Sequence, residues 1–205
     1  MSVITAIRPQ KNNKRVNIYL NGKFSFGLDL ESFMKLGLKV EDELTGAQVE
    51  KIVREAEFQK VYDKILRFAA LRPRSKKEFK DWFRKHKVHK SLHKNLFERL
   101  KRLEFLDDKK FAVWWVEQRT SFKPKGKMAL KFELIQKGID RKVIQEVLSQ
   151  VRIDEKKMAT KILEKKAYKW KNLQGFDKRK KMADYLGRRG FDWNTINKVL
   201  KDLRD

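Results

Sequence analysis

The sequence predicts a mainly α-helical protein, an elongated curved array of three tandem three-helix repeats preceded by a small N-terminal β-hairpin-containing module. Three observations predict it. From residue 75 onward a pattern of apolar residues recurs at intervals of 51 and then 52 residues. The first fifty or so residues are different in style, with β-rich runs on either side of an Asn-Gly pair. The 205 residues are 40% hydrophobic, enough to bury a core despite a formal net charge of +25.

The N-terminal elements follow in order. Val3-Ile4-Thr5-Ala6-Ile7 and residues 15–20 are strand candidates, and Lys23-Phe24-Ser25-Phe26-Gly27-Leu28 is a third. Asn21-Gly22 between the last two predicts a tight hairpin, because a type I′ turn needs positive φ at both central residues. A short helix is expected from about Asp29 to Leu36, stopped by Gly37. A longer one starts near Thr45 and carries Val49, Ile52, Val53 and Ala56 toward Leu71.

The helical body then repeats. Phe79, Leu130 and Met182 coincide, as do Phe83, Leu134 and Leu186. After a turn, Val88, Ile139 and Phe191 coincide, followed by Leu96, Val147 and Val199, then Phe97, Leu148 and Leu200, then Leu100, Val151 and Leu203. The late positions have the i, i+1, i+4 spacing of a helical stripe. A preceding helix repeats at a different offset, with Asp107, Phe111, Ala112, Trp115 and Val116 matching Asp154, Met158, Ala159, Ile162 and Leu163, each 47 residues on. The mismatch predicts a longer connection around Trp170 to Phe176 in the last copy. The expected organisation is a β-containing module at 1–50 and three-helix repeats at 51–104, 105–153 and 154–205. A unit of this size cannot bury its stripe alone, so the copies should stack.

Local chemistry marks the boundaries. Ser75-Lys76-Lys77-Glu78 reads as a capping box behind Pro73. Asp140 and Asp192 stand where the third helices need N-caps, and Gly138 and Gly190 where the second helices need left-handed C-caps. The first copy departs from this pattern, with Lys87 and His89 at the equivalent places, and its helix end should be strained or differently shaped.

Composition narrows the function. Lys+Arg number 52 against 27 Asp+Glu, spread along the chain, and such an excess repels itself unless a partner neutralises it. Nucleic acid, or a complex containing it, is the expected partner. There is no cysteine, so disulfides and zinc-thiolate sites are excluded and a reducing compartment fits. No apolar run approaches the roughly 20 residues of a membrane span, and the start, Met1-Ser2-Val3-Ile4-Thr5, carries no signal-peptide pattern. The expected location is the cytoplasm, with no membrane partner.

Several runs together carry a resemblance to a known family. They are Tyr19-Leu20-Asn21-Gly22 with Phe24, Arg72-Pro73-Arg74-Ser75, and Phe105-Leu106-Asp107-Asp108 followed by Phe111-Ala112. Lys123-Pro124-Lys125-Gly126, Lys137-Gly138-Ile139 and Arg189-Gly190-Phe191 complete the set. In this order and spacing the chain resembles the RecX family over nearly its whole length. The resemblance implies three tandem three-helix units lying in the groove of the RecA–DNA filament. It also implies a non-enzymatic, monomeric modulator that limits filament extension, ATP turnover and strand exchange, and thereby DNA repair, recombination and the SOS response. The missing glycine of the first copy and the strong basicity depart from the family pattern, and the second favours direct contact with single- and double-stranded DNA.

The residues expected to bind are cationic. Lys76, Lys127 and Arg179 fall at equivalent positions and would form a ladder along a stacked array, with Arg72, Arg74, Lys77, Lys80, Arg84, Lys123, Lys125 and Lys131 on or beside the same elements. The plain alternative is a solvated helix face. Of the five tryptophans, Trp82 and Trp115 sit in apolar stripes, whereas Trp114 and Trp170 are the base-stacking candidates. His86, His89 and His93 lie among lysines that would repel a cation, so no metal site or cofactor is expected. No phosphate-binding loop or nucleophile elbow occurs. Glu155-Lys156-Lys157 and Glu164-Lys165-Lys166 match the E-x-K of metal-dependent nucleases, but no acidic cluster converges with them. An independent basic DNA- or RNA-binding repeat protein is the alternative reading, and a nuclease a distant third.

Overall fold

In the computed structural model, which describes every residue except Asn12, Arg204 and Asp205, Asn21 and Gly22 take φ of 47° and 79°. They close a hairpin between β2 (Arg15–Leu20) and β3 (Lys23–Asp29), the mirror-image turn that the Asn-Gly pair predicts. With β1 (Ser2–Pro9) and a two-residue β4 (Glu43–Leu44) they form an antiparallel sheet in the order β3-β2-β1-β4. β4 is too short to leave a periodic signal. Val16, Ile18 and Leu20 alternate onto the buried face, joined by Ile4, Phe26 and Leu28. Helix α1 (Leu30–Leu36) is capped by the Asp29 side chain and ended by Gly37 at φ 61°.

Helix α2 (Gly46–Ala70) starts with a full capping box between Thr45 and Gln48. Its first turns send Ile52 and Ala56 into the core beneath the sheet, so that core draws on residues beyond 50. The described residues fall into two compact units. One holds Met1–Arg72 and Val88–Glu98, and the other holds Pro73–Lys87 and the chain from Arg99 on.

Three helices recur three times: α2 with α3 (Lys76–Lys85) and α4 (Lys90–Arg102); α5 (Asp108–Phe122), α6 (Lys127–Gln136) and α7 (Arg141–Gln150); and α8 (Glu155–Lys165), α9 (Gly175–Gly187) and α10 (Trp193–Asp202). The repeated apolar positions are buried or half-buried, except Leu203, which is 44% exposed. Phe79, Leu130 and Met182 are buried, as are Phe83, Leu134 and Leu186, and Leu96, Val147 and Val199. In the second copy Phe111, Ala112 and Val116 close on Leu130, Leu134, Ile144 and Val147. In the third, Ala159, Ile162 and Leu163 meet Met182, Leu186, Ile196 and Val199. The longer connection in that copy contains a 3-10 turn, Ala167–Trp170, packed on α8 and α9.

The caps follow their chemistry. Asp107, Asp140, Asp154 and Asp192 each accept a first-turn amide, and Gly138 and Gly190 take φ of 77° and 80°. At the equivalent place in the first copy Lys87 itself adopts φ 50°, so the departure seen in the sequence is a left-handed lysine. His89, in the place of an N-cap aspartate, bonds Ser91 through Nδ1. A β-carbon costs about 1–2 kcal/mol in this region of φ, which glycine avoids.

We therefore expect Lys87→Gly to be neutral or to stabilise by up to about 1 kcal/mol. Gly190→Ala should destabilise by about 2–4 kcal/mol, because its Cβ would lie 2.3 Å from both the amide nitrogen and the Cβ of Ala129. Urea midpoints at unchanged m-value test both.

Candidate functional site

The first four amides of a helix have no partner inside it, and at Lys76 and Lys127 that need is met by the next copy along the chain. At the first joint the Ser75 hydroxyl, fully buried, accepts the Glu78 amide and donates to the Lys137 carbonyl at the C-terminus of α6. The Lys76 amide donates to Asp108 at 2.8 Å. The Lys77 Nζ reaches the Gln136 carbonyl, and the Lys137 Nζ returns to Glu78. Of the expected capping box the Ser75 half is present, and the Glu78 carboxylate ties α3 to α6 through Lys137.

The second joint repeats the first with different residues. The Gly126 amide donates to the Arg189 carbonyl at the C-terminus of α9, and the Met128 amide to that of Gly190. The Lys127 amide donates to Glu155 at 2.8 Å, as Lys76 does to Asp108. A helix N-terminus, partly positive, faces a partly negative C-terminus in both. Glycine is required on both sides of the second joint, since a Cβ on Gly126 would stand 2.1 Å from the Gly190 carbonyl oxygen. Burial holds the Asp108 carboxyl above its ordinary range, against the pull of the Lys76 amide. Glu155, one of the two E-x-K acids, is here a joint acceptor.

These joints decide where the expected cations stand. Lys76 and Lys127 open their helices at matching places, the first exposed and the second half-buried. Arg179 does not match them: α9 begins a turn earlier, at Gly175, and Arg179 lies inside it with Nη1 buried and lacking a hydrogen-bond partner. The ladder therefore has two equivalent rungs and a third of another kind. Lys80, Lys123 and Lys131 are exposed, while Arg72 and Arg74 are half-buried, with Arg74 in a bridge to Leu106. Lys77 is engaged at Gln136, Arg84 pairs with Asp81 at 2.9 Å, and Lys125 is drawn onto Glu133.

Glu133 organises the half-buried surface between α5 and α6. Its carboxylate accepts from Trp115 Nε1 and Arg119 Nε, each at 2.8 Å, and from Lys125 Nζ. The Arg119 guanidinium and the Lys137 ammonium lie 4.5 and 4.8 Å from the Trp115 ring centroid. Lys125 accordingly pins the 123–126 loop to α6.

Neither tryptophan chosen for base stacking stands open. Trp170 is 5% exposed, edge-on to Tyr185 at 5.5 Å, which removes it as a stacking platform. Its place in the 3-10 turn, outside the repeat register, hid this. Trp114 is half-buried against Phe111 and Trp115. The exposed indole is Trp193, 65% accessible at the first position of α10. The repeat itself could have pointed to it, because its counterparts Lys90 and Arg141 are surface cations. Of the histidines, His86 stacks on Trp82 at 4.0 Å and bonds its carbonyl, and His93 bonds the Val88 carbonyl. Among the described residues no group of acids and histidines could hold a metal ion, and no helix is long and apolar enough to cross a membrane.

Family models match three stretches: the regulatory protein RecX N-terminal domain at 2–45, the second three-helix domain of RecX at 107–148, and the third at 154–200. The regulatory protein RecX of Bacillus licheniformis is 34% identical over 204 residues, covering 98% of this chain and 78% of its own. That of Bacillus subtilis is 31% identical, covering 99% and 78%, and that of Clostridium perfringens 29%, covering 99% and 97%. A crystal structure of regulatory protein RecX superposes with a TM-score of 0.73 at 23% identity, covering 98% of this chain and 100% of that one. RecX from Lactobacillus salivarius gives 0.63 at 22% identity, covering 72% and 97%.

Burial works against the charged form of Glu133, but the hydrogen bonds from Lys125, Trp115 and Arg119 outweigh it and hold the carboxyl below the ordinary glutamate value. A lowered folded-state pKa stabilises above the ordinary glutamate range and loses that contribution as pH falls through the lowered value. Glu133→Gln should cost about 1–3 kcal/mol at neutral pH. The gap from the parent, read from urea midpoints, should narrow below about pH 4.

Proposed function

The chain belongs to the RecX family, and from that premise we propose that it modulates the RecA recombinase by binding the RecA–DNA filament in its groove. There it would limit filament extension, ATP turnover and strand exchange, without catalysis of its own, as a cytoplasmic monomer that also touches single- and double-stranded DNA. The observation that carries this reading is the match to named RecX proteins along 98% of the chain, since a domain-level likeness would leave the partner open. The surplus charge of +25 supports an anionic partner. The acids that look available for chemistry, Glu133, Asp108 and Glu155, are occupied by hydrogen bonds within the chain. The exposed cations Lys76, Lys80 and Lys123 are the residues we assign to the anionic partner.

The charge also favours a second reading, an independent basic DNA- or RNA-binding protein. The two separate in one assay. A filament modulator lowers RecA ATP turnover on single-stranded DNA at substoichiometric amounts. A simple phosphate binder acts only near saturation of the DNA, with a log–log salt slope of about −0.9 per contact. We expect Lys76→Gln/Lys80→Glu/Lys123→Glu to raise the half-inhibiting concentration at least about tenfold with helicity unchanged. Glutamine is used at Lys76 because a carboxylate there would repel Asp108. An undiminished ATPase at equimolar protein would remove the reading.

A further inference from the structure

The outward face of a helix in a strongly charged protein is expected to be polar, and at three matched positions α3 and α9 carry no apolar side chain where α6 does. Leu130 and Leu134 of α6 point into the second copy's core. On the opposite face stand Met128, Phe132 and Ile135, which are 64%, 61% and 41% exposed. The three-fold repeat supplies an internal control. The same positions in α3 are Lys77, Asp81 and Arg84, and in α9 they are Lys180, Asp184 and Gly187. The fold therefore does not ask for apolar side chains here, and something outside the chain is the simplest claimant.

The spacing identifies the kind of claimant. Met128, Phe132 and Ile135 follow one another by four and then three residues, the d-a-d seam of a heptad, and lie within a narrow arc of the helix surface. The seam covers two turns, about 10 Å of helix. Lys131 takes the g position beside it, where a coiled-coil partner sets its charges, and Lys127 lies one turn before it on the same flank. Helix α6 itself adds no acid to that flank, because its one carboxylate, Glu133, is turned away and held by Trp115, Arg119 and Lys125.

We propose that this face of α6 docks an acidic amphipathic segment of another protein, a short helix with apolar residues at a and d and glutamate or aspartate beside them. Charge complementarity selects that occupant. A second copy of this chain would bring another +25 against the lysines. A nucleic acid strand offers flat bases that stack on aromatic rings, whereas two of the three anchors, Met128 and Ile135, are aliphatic. The proposal goes beyond filament binding and needs none of the cations assigned to it.

The test uses the full chain and a synthetic probe. The probe is a fluorescein-labelled peptide with leucine at a and d and glutamate at e and g, read by anisotropy. A second peptide of identical composition has its leucines scrambled off the seam. The variant Met128→Lys/Phe132→Asp/Ile135→Arg transplants the residues that α3 already carries at these places. Phe132→Asp alone serves if the triple change lowers helicity. We expect the seam peptide to bind at least about tenfold more tightly than the scrambled one, and the variant to lose that difference. Equal binding of both peptides, or undiminished seam-peptide binding by a folded variant, would overturn the proposal. So would displacement of the peptide by an oligothymidine that the variant no longer binds, or self-association of the parent that the variant abolishes.

Discussion

The N-termini of α3 and α6 do not end in solvent; each is completed by the copy that follows it. That one arrangement explains much of the sequence. An amide at the first helical position needs an acceptor, and the following copy provides it from the first turn of its first helix, as Asp108 for Lys76 and Glu155 for Lys127. Close approach of a helix start to a helix end leaves no room for side chains. The left-handed caps at Gly138 and Gly190 are therefore glycine for two reasons at once: a positive φ, and a neighbour within 3 Å of any Cβ. Lys87 takes the same left-handed conformation as the two glycines, with φ of 50°. A lysine there bears the cost of its φ, which glycine avoids.

What could be read from the sequence was what is periodic or local. The buried stripes, the Asn21-Gly22 turn and the aspartate caps all depend on residues a few positions apart. The joints were hidden because their partners are far apart in the chain and one of each pair is a backbone group. Ser75 donates to the carbonyl of Lys137, and nothing in a side-chain pattern marks a carbonyl. Lys125 was legible as a cation but not as a partner of Glu133, since the loop that brings them together has no period. Arg179 and Trp170 misled for a shared reason. The insertion in the last copy starts α9 a turn early, so counting from Lys127 puts Arg179 at a helix start it does not occupy, and it adds a 3-10 turn with no counterpart to show that Trp170 is buried.

The charge imbalance reads differently once the acids are located. Asp108, Glu155, Glu78 and Glu133 are each hydrogen-bonded inside the structure, at joints or beside them. Asp108 and Glu155 are spent on backbone amides and withdraw no cation with them, whereas Glu78 and Glu133 take Lys137, Lys125 and Arg119 into their pairs. Buried or half-buried carboxylates with several donors also tolerate ionic strength better than exposed pairs such as Arg84 with Asp81. A protein so arranged can meet a polyanion with its outer cations while its own ion pairs stay intact.

The second copy stands apart because it takes part in both joints. Helix α6 gives its N-terminal amides to Glu155 and the cap of α9, and its C-terminal carbonyls to Ser75 and Lys77. Its flank is fixed by Glu133. Both ends and one side are thus spoken for, and the inner face is core. The outward ridge is the surface that remains, and it is presented by a helix whose position is set from several directions. Rigidity of that kind lowers the ordering cost of binding, which small interfaces can least tolerate. A two-turn apolar seam would be a weak site on a fraying helix. On α6 the same three side chains are held in register before any partner arrives, and that is the physical reason to expect recognition at this copy rather than at its neighbours.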